Sequence, residues 1–419
     1  MWIFIQPNDT LFFRDGRPFN AGSDVWTGAI FPPYPPTLYG MLRTLLVHLL
    51  SSTVDYSDFF SNVPERWKEV LGTAREVGTL SIRGPFAGEK AGERATLWLS
   101  APADLWQRQP PRRRKPRHHL LQPDRTMTLD GCSDLETPFH PLSFHKVVDG
   151  SELDPSGGLI GGNGLSAYLE GQQTTSGVLE GIDTRTFWHE EPGTLIERDE
   201  SLSVKRHQLA HPSHTRMQDG FPFLEKGFLV RIDVPEGDLG KELSRLLAGP
   251  SIARLGGKGR VSIVSKAEVG STPQKLTRRI SETGHFRVVL TSPGFFPNRA
   301  YYPDFLAPPS EHDSLPEGEW TAGGEKRKVR LKAMVTGGRP ARIGGWNLAE
   351  GRPKDMFKAV PAGSVYFFEL DGFDAERDGA WVSALVASCS PGTFPECGDD
   401  TTRQGFNTIL IGGWDYVST

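Results

Sequence analysis

The segment FPPYPPTLYGMLRTLLVHLL, residues 31–50, decides how the surrounding sequence is interpreted. Its apolar residues recur at i, i+3, i+4, i+7, i+8 and i+11, at Leu38, Met41, Leu42, Leu45, Leu46 and Leu49. This spacing places them on one face of an amphipathic helix, with Thr37 as the expected N-cap. Its most apolar stretch, LYGMLRTLLVHLL (38–50), contains Arg43 and His48 and is too short to cross a bilayer. The sequence therefore predicts a helix that packs its apolar face on another element.

Alternating apolar residues on both sides of this helix predict the strands of a first unit. Residues 2–6 and 228–234 fit strands, residues 239–247 fit a short helix, and residues 261–266 fit a further strand. A second unit contains four more predicted strands, FRVVLTS (286–292), KVRLKAMV (328–335), VYFFEL (365–370) and TILIGGW (408–414). Strands separated by helices or long connections fit an α+β fold with two ferredoxin-like domains and long loop insertions.

The domain limits follow from these two sets of elements. We predict one domain over residues 1–270, with a large insertion over about residues 51–226, and a second over residues 285–419. The polar stretch GSTPQKLTRRISETG, residues 270–284, is the expected boundary.

Composition excludes several classes of protein. The 419 residues include 47 Gly and 33 Pro, well above the usual combined share of roughly 12%, which argues against a helical bundle or a solenoid. Three Cys cannot form a disulfide framework and suit a reducing cytosol. The start MWIFIQPND has no basic segment ahead of an apolar run, so no signal peptide is expected. We therefore expect a cytoplasmic protein without a membrane segment.

Charge is distributed unevenly along the chain. The formal net charge is −4, but residues 250–360 contain 19 Lys and Arg against 10 Asp and Glu. A basic half on an otherwise acidic protein favours one surface for a polyanion. Uneven sampling of a solvated surface is the alternative.

The loop RLGGKGR, residues 254–260, is the most informative local motif. Its three glycines could let backbone N–H groups converge on an anion, with Arg254, Lys258 and Arg260 supplying positive charge. A phosphate or a nucleic-acid backbone is the natural ligand. A plain tight turn with solvated cations explains the same residues equally well.

Motifs for catalysis or metal binding are mostly missing. No Walker loop, GxSxG, HExxH or CxxC occurs. His207, His211 and His214 suggest a zinc site only if a helix brings them together, and Pro212 disfavours that helix. His48 fits the edge of the core better than a catalytic base, and Cys389 fits a buried small residue. The basic run RQPPRRRKPRHH, residues 108–119, is either an arm on the phosphates of a polyanion or a solvated loop.

Several motifs occur in an order that resembles one known family. They are FIQPNDTLFFRDGRPFNAG (4–22), FPPYPPTLYGMLRT (31–44), LWLSAPADLW (97–106), GLSAYLEG (164–171), GIDTRT (181–186), RLGGKGR (254–260), IGGWNLAEGRPKDMFKAVPAGSVYFFEL (343–370) and GFNTILIGGWD (405–415). The set is similar to the CRISPR-associated RAMP superfamily, and in particular to the third subunit of the type III-B (Cmr) effector complex. The sequence departs from that family at Lys258, where an acidic residue is frequent, and at Asn347, where Asp is frequent.

The resemblance implies a pair of RRM-related ferredoxin-like domains and a role as a non-catalytic scaffold. Such a subunit contacts the 5′ tag of the CRISPR RNA (crRNA) in a complex that binds target RNA. It docks on the large polymerase/cyclase-type subunit and on the backbone RAMP subunit. No cofactor or metal is implied. A protruding β-hairpin "thumb" is expected within residues 183–226. A RAMP endoribonuclease that processes CRISPR transcripts, in which His48 would have to act, is the first alternative, and an unrelated α+β protein with a small-anion site is the second.

These considerations assign ten residues to RNA binding. Arg14 and Arg17 flank a turn, Arg43 projects from the helix, and the helix N-terminus at Thr37 favours an anion. Trp346 is expected to stack on a splayed base, as is Phe295, with core packing as the alternative for both. The assigned residues are Arg14, Arg17, Arg43, Arg254, Gly256, Gly257, Lys258, Gly259, Arg260 and Trp346.

Overall fold

The protein is described by a computed structural model. The description covers the chain outside residues 15–25, 28–29, 52–62, 74–75, 109–116, 125–138, 145–152, 172–177, 180–183, 194, 199–203, 219–222, 271–273, 300, 309–314, 348–350, 396–399 and 418–419.

Strands outnumber helices in the described chain. The helices are α1 (Pro35–Leu50), α2 (Glu65–Leu71), α3 (Gly162–Glu170), α4 (Asp238–Leu246), α5 (Gln274–Thr283), α6 (Ala375–Ser388) and α7 (Asp400–Arg403). The strands are β1 (Trp2–Pro7), β2 (Trp26–Thr27), β3 (Ser81–Ala91), β4 (Arg94–Ser100), β5 (Leu105–Arg108), β6 (Arg117–Pro123), β7 (Leu142–Phe144), β8 (Leu153–Pro155), β9 (Leu159–Gly161), β10 (Val178–Leu179), β11 (Thr184–Arg185), β12 (Trp188–Pro192), β13 (Leu195–Arg198), β14 (Val204–Met217), β15 (Glu225–Asp233), β16 (Ser251–Leu255), β17 (Arg260–Val269), β18 (His285–Leu290), β19 (Glu317–Ala322), β20 (Glu325–Val335), β21 (Ala341–Ile343), β22 (Trp346–Asn347), β23 (Arg352–Pro353), β24 (Phe357–Ala359), β25 (Val365–Leu370), β26 (Gly392–Thr393) and β27 (Thr408–Gly413).

The first sheet gathers strands from the whole of the N-terminal half. Its order is β11-β9-β4-β3-β15-β1-β17-β16, and β1 pairs antiparallel with both β15 and β17. Helix α1 connects β1 towards β3, and α4 lies between β15 and β16. Alternate residues of β1 separate two cores: Ile3 and Ile5 pack with α1, whereas Phe4 packs on the opposite side. Because both faces of β1 are packed, residues 2–5 form a continuous apolar run in the sequence.

Helix α1 confirms the predicted apolar stripe but corrects its start. Five of the six stripe residues are buried, and Leu49, near the C-terminus, is 36% exposed. The helix begins at Pro35 after Tyr34, not after an N-cap at Thr37, and the Thr37 N–H donates to the Tyr34 carbonyl oxygen at 3.0 Å. Two prolines at the start fit a first turn because they need no N–H there. The same prolines remove donors that an anion at this helix end would use.

The second sheet is built from the C-terminal half. Its order is β19-β20-β25-β18-β27-β26, and the four predicted strands of this half are β18, β20, β25 and β27. Helix α6 lies between β25 and β27, and the Asp374 carboxylate caps it by accepting from the N–H groups of Glu376 and Arg377. The described residues between β18 and β19 contain no helix. The fold is thus sheet-rich and mixed, consistent with the predicted α+β class.

The predicted insertion contains its own strands. A small sheet has the strand order β10-β6-β5-β8. Two residues of the basic run pair within it, because Arg108 at the end of β5 lies opposite Arg117 at the start of β6. His118 and His119 are 1% and 7% exposed, so this end of the run is neither an arm nor a solvated loop. Residues 109–116 lie outside the described chain. Strands β12, β14 and β13 pair antiparallel within residues 183–226, and β2 pairs parallel with β14 in the same sheet. The assignment of this segment as a thumb stays a prediction.

A buried polar cluster joins the insertion to the second sheet. The Arg287 guanidinium on β18 donates to the Asp104 carboxylate at 2.9 Å, and both side chains are 0% exposed. The Tyr168 hydroxyl on α3 donates to the same carboxylate at 2.7 Å, and its ring lies 4.0 Å from the Arg287 guanidinium carbon. Burial raises the pKa of Asp104, while the charge of Arg287 acts in the opposite direction.

One hydrophobic core also runs through both sheets. It contains Phe4 and Phe86 from the first and Phe286 and Phe368 from the second. The predicted boundary at residues 270–284 holds α5, whose Ile280 is buried in this core. Division into domains at that point stays a prediction.

Candidate nucleic-acid interface

The RLGGKGR motif forms the tip of an antiparallel hairpin between β16 and β17. Leu255 pairs with Arg260, and the turn between them is one 3-10 turn over Gly257–Gly259. Gly256 and Gly259 have φ values of +72° and +57°. Residues with a Cβ are disfavoured in that region, so these two glycines are required by the turn itself.

The glycine amides dock the hairpin on the N-terminal segment. The Gly257 N–H donates to the Phe12 carbonyl at 2.8 Å, and the Gly259 N–H donates to the Gly256 carbonyl at 3.2 Å. A Cβ on Gly256 would lie 3.0 Å from the same Phe12 oxygen. These two N–H groups are therefore already used, which favours the tight-turn interpretation over an anion nest for Gly257 and Gly259. The Lys258 side chain lies outside the described residues.

Two arginines from distant parts of the chain meet one aspartate beside the hairpin. Arg260 forms an ion pair with Asp9, and Arg216 of β14 lies 3.7 Å from the other Asp9 oxygen. Arg216 also donates to the Glu191 carboxylate at 3.2 Å. The Thr10 backbone N–H is the main cause that lowers the pKa of Asp9, and the two arginines lower it further. We call Asp9, Glu191, Arg216 and Arg260 the hairpin cluster.

Backbone hydrogen bonds hold the segments of the hairpin cluster together. Leu11 and Thr215 exchange N–H and carbonyl contacts at 2.7 and 2.8 Å, and the Asn8 N–H donates to the Val261 carbonyl at 3.1 Å. The N-terminal segment thus bridges β14 and β17. Arg254, on β16, is exposed and lies opposite Val261 of β17. Arg254 and Val261 share the outer face of the hairpin, whereas Arg260 shares the other face with the buried Leu255. Arg216 and Arg260 are therefore the two arginines that Asp9 brings together.

The other predicted arginines have different surroundings. Arg14 is exposed at the end of the same N-terminal segment, and Arg17 lies outside the described residues. Arg43 donates to the Thr73 carbonyl at 2.7 Å, and its guanidinium carbon lies 5.7 Å from the centre of the Tyr39 ring. Burial lowers the pKa of Arg43. Arg43 therefore holds the turn after α2, and its assignment to RNA binding stays a prediction.

The two aromatic residues proposed for stacking also differ. Trp346 lies in the short strand β22, and its side chain is outside the described residues. Phe295 is partly buried, and its ring centre lies 4.5 Å from that of Phe357. This contact favours the packing alternative for Phe295.

The histidines suspected of binding zinc lie on strand β14 rather than on a helix. At about 3.3 Å per residue, His207 and His211 would be separated by roughly 13 Å along the strand, and His214 would face the opposite side. The helix that a shared metal ion needed is therefore absent at these positions. Within the described ranges, no group of three or more His, Cys, Asp or Glu is arranged to hold a metal ion. Cys389 is buried as predicted, and burial raises the pKa of its thiol to about 12.

Sequence reasoning missed Asp9, Glu191 and Arg216. Asp9 was visible inside the motif QPNDT, but nothing local marks Arg216 as the residue that meets it. That contact depends on the pairing of β12 with β14 and on the bridge between Leu11 and Thr215. Leu11 and Thr215 lie far apart in the sequence, so no local pattern reveals their contact.

Comparison with known proteins identifies the class and then the family. A family model described as "CRISPR-associated protein (Cas_Cmr3)" matches residues 3–414. The chain is therefore a CRISPR-associated protein. It belongs to the Cas_Cmr3 family, the third subunit of the type III-B Cmr complex, which confirms the family predicted from its motifs.

Two solved structures are similar over most of the chain. One, "Cryo-EM structure of the Type III-B Cmr-beta bound to cognate target RNA", has a chain with 13% identity and a TM-score of 0.46, covering 98% of this chain and 96% of its own. The second, the same complex with AMPPnP in state 1, has 14% identity and a TM-score of 0.43, covering 88% and 86%. A sequence comparison with curated proteins gave no match.

Proposed function

We propose that this chain is a non-catalytic crRNA-binding scaffold of a type III-B CRISPR effector. In this role it contacts the 5′ tag of crRNA within a complex that binds target RNA. It docks the large polymerase/cyclase-type subunit and the backbone RAMP subunit. Family membership over residues 3–414 supports the complex, and the surface around the β16–β17 hairpin supports the RNA contact.

The observation that carries the RNA contact is the convergence of Arg216 and Arg260 on Asp9. They come from two separate segments, yet hydrogen bonds to residues 8–12 hold those segments in one surface. Asp9 and Glu191 neutralise part of the charge when RNA is absent. Exposed ion pairs of this kind contribute little to stability, so the arginines can exchange a carboxylate for a phosphate at small cost. Phosphate contacts position an RNA strand without reading its bases.

The strand orders support the proposal that both sheets derive from ferredoxin-like units. In the first sheet, the central order β17-β1-β15-β3 with α1 and α4 as connections matches a strand–helix–strand–strand–helix–strand unit. In the second, β27-β18-β25-β20 repeats this order with α6 as the second helix. We propose that a long connection replaces the first helix there.

Cytoplasmic localisation is part of the same proposal. Cys389 is a free, buried thiol, which suits a reducing compartment. No helix in the part of the chain that the structure describes is long and apolar enough to cross a membrane.

Reconstitution with and without this chain tests the scaffold role. Purified chain is incubated with end-labelled crRNA precursor, alone and together with the other Cmr subunits. We expect no cleavage by the chain alone, weak RNA binding by the chain alone, and protection of the 5′ tag that requires the assembly. Equal protection by the assembly lacking this chain would contradict the role.

The same assay distinguishes the endoribonuclease alternative. Cleavage by the wild-type chain that disappears in His48→Ala would establish that alternative. His48 is exposed in the last turn of α1, so this substitution leaves the core intact and any loss is chemical.

A further inference from the structure

Residues 339–347 and 351–359 contain a small β-ribbon in the second half of the chain. Strand β21 pairs antiparallel with β24, and β22 pairs with β23. We call this segment the basic ribbon. The Gly337 N–H donates to the Ser364 hydroxyl at 2.9 Å, which fixes one end of the ribbon to the turn before β25.

The two faces of the ribbon have opposite characters. Ile343 and Ala359 are buried and pack with Phe406, and Phe357 joins them. Arg342 and Lys358 lie directly opposite each other on the other face, and both are exposed. Directly opposed residues have Cβ atoms about 4.5–5.5 Å apart, and like charges at that distance are mutually destabilising. An anion between them would remove this repulsion.

A third cation lies further along the ribbon. The Lys354 N–H donates to the Gly345 carbonyl at 2.9 Å, and its exposed side chain passes within 3.8 Å of the place where a Gly345 Cβ would stand. Gly338 and Gly351 have no atom within 4 Å of an added Cβ, so their backbone is open to close approach. Arg339 is also exposed, next to Gly338.

The cations of the neighbouring strand β20 have different surroundings. Its cations pair with carboxylates of adjacent strands and turns: Lys326 with Glu319 at 2.9 Å, Lys328 with Glu317 at 2.5 Å, Arg330 with Asp371 at 3.0 Å, and Lys332 with Glu369 at 3.2 Å. Among the described residues, no carboxylate forms an ion pair with Arg342, Lys354 or Lys358. The positive charge of β20 is therefore compensated, whereas Arg342, Lys354 and Lys358 on the ribbon, like Arg254 and Lys266 elsewhere, have no ion pair among the described residues.

We propose that Arg342, Lys354 and Lys358 of the basic ribbon bind the phosphate backbone of single-stranded RNA, at a site separate from the hairpin cluster. The identity of the RNA as crRNA rests on the proposed function. Lys is depleted in protein–protein interfaces, whereas Lys and Arg make most contacts to phosphates. The described residues of the ribbon expose five cations against one carboxylate, Asp355, and one large apolar side chain, Met356, and this excess of positive charge favours RNA over a partner protein.

The test compares two triple variants in the assembled Cmr complex. Arg342→Gln/Lys354→Gln/Lys358→Gln changes the ribbon. Lys241→Gln/Arg278→Gln/Lys326→Gln removes the same charge from exposed cations that already pair with Asp238, Glu282 and Glu319. The affinity for labelled crRNA is measured over a salt series, and a native gel reports whether each variant enters the complex.

Each single-strand phosphate contact contributes about −0.7 to the slope of log K against log salt, so the ribbon variant should flatten the slope by about 2. The control should keep the wild-type slope. Equal slopes for ribbon variant and control would overturn the proposal, and so would failure of only the ribbon variant to enter the complex, because that points to a protein partner. Failure of the scaffold role would give a different result from failure of the ribbon proposal. A complex lacking the whole chain would then bind crRNA with normal affinity.

Discussion

The buried cluster of Asp104, Tyr168 and Arg287 and the hairpin cluster of Asp9, Glu191, Arg216 and Arg260 use the same chemistry for different purposes. Both join arginines to carboxylates across long stretches of sequence. Arg287 and Asp104 are 0% exposed, whereas Arg260 and Asp9 are 32% and 41% exposed. Without water, a charge that loses its partner is costly, so the first cluster fixes the arrangement of the two sheets. In water a charge that loses its partner costs little free energy, so the arginines of the hairpin cluster can exchange one partner for another.

The largest expected effect comes from breaking the buried pair. Asp104→Ala leaves the Arg287 charge without its carboxylate, and we expect a loss of about 3–5 kcal/mol in the free energy of unfolding. Urea unfolding measures it. The double variant Asp104→Leu/Arg287→Met should recover much of the loss, because it leaves no unpaired charge. A loss below about 1 kcal/mol in the single variant would mean that burial makes no difference between the two clusters.

Acid should also destabilise the folded chain, through the buried His118. Burial, together with the neighbouring His119, lowers the pKa of His118 to about 4. The unfolded chain takes up this proton near pH 6.5 and the folded chain near 4, so stability is complete above about 6.5 and falls between these values. At about 1.4 kcal/mol per pKa unit, the loss is at most about 3 kcal/mol.

Urea unfolding between pH 7 and pH 4 measures this dependence. In His118→Gln, which has no titrating group at this position, the slope between pH 6.5 and pH 4 should become shallower. An unchanged slope would show that His118 is accessible to protons in the folded chain.

A substitution that strains the hairpin backbone should lower the stability of the protein more than one that removes a charge from the hairpin. Gly256→Ala places a Cβ at a φ of +72°, 3.0 Å from the Phe12 oxygen, and should cost roughly 1–2 kcal/mol. Gly249→Ala, where an added Cβ meets nothing within 4 Å, is the matched control. Thermal melts compare the two. Equal melting temperatures would show that Gly256 is replaceable and that the turn does not depend on it.

The smallest effect on stability is expected at the exposed pair. Arg260→Gln and Asp9→Asn should each change the free energy of unfolding by about 0–1 kcal/mol. Their effects on RNA should differ, because only Arg260→Gln removes a phosphate contact and should flatten the salt slope by about 0.7. Salt titrations of crRNA binding in the assembled complex measure this. Identical slopes for the two variants would separate Arg260 from the RNA.

Local patterns predicted the elements better than their connections. The stripe of α1 and the strands β1, β15, β18 and β25 were predicted because their apolar periodicity is local. Thr37 was wrong as an N-cap because the preceding prolines already fit the first helical turn. The buried His118 was not foreseen, since its environment comes from the pairing of β6 with β5 and β10. Arg287 carried a signal that was missed, a lone cation inside the apolar strand FRVVL.

The candidate site was predicted only in part for the same reason. The sequence marked the RLGGKGR loop, but the use of its amides depends on Phe12, which lies far away in the chain. Sequence alone also counted the cations of residues 250–360 as one group. Which of them are neutralised depends on strand neighbours such as Glu317 and Glu369.

The separation of Asp104 and Arg287 by 183 positions has a consequence for synthesis on the ribosome. At about 5–20 residues per second, roughly 10–40 s pass between the emergence of the carboxylate and that of its guanidinium. During that interval Asp104 cannot be buried as a charge, so the loop before β5 must stay hydrated while the nascent N-terminal half waits. The contact of this loop with β18 therefore forms late, after β18 has been translated, and a ribosome stalled before residue 287 should carry a chain whose loop around Asp104 is open to protease.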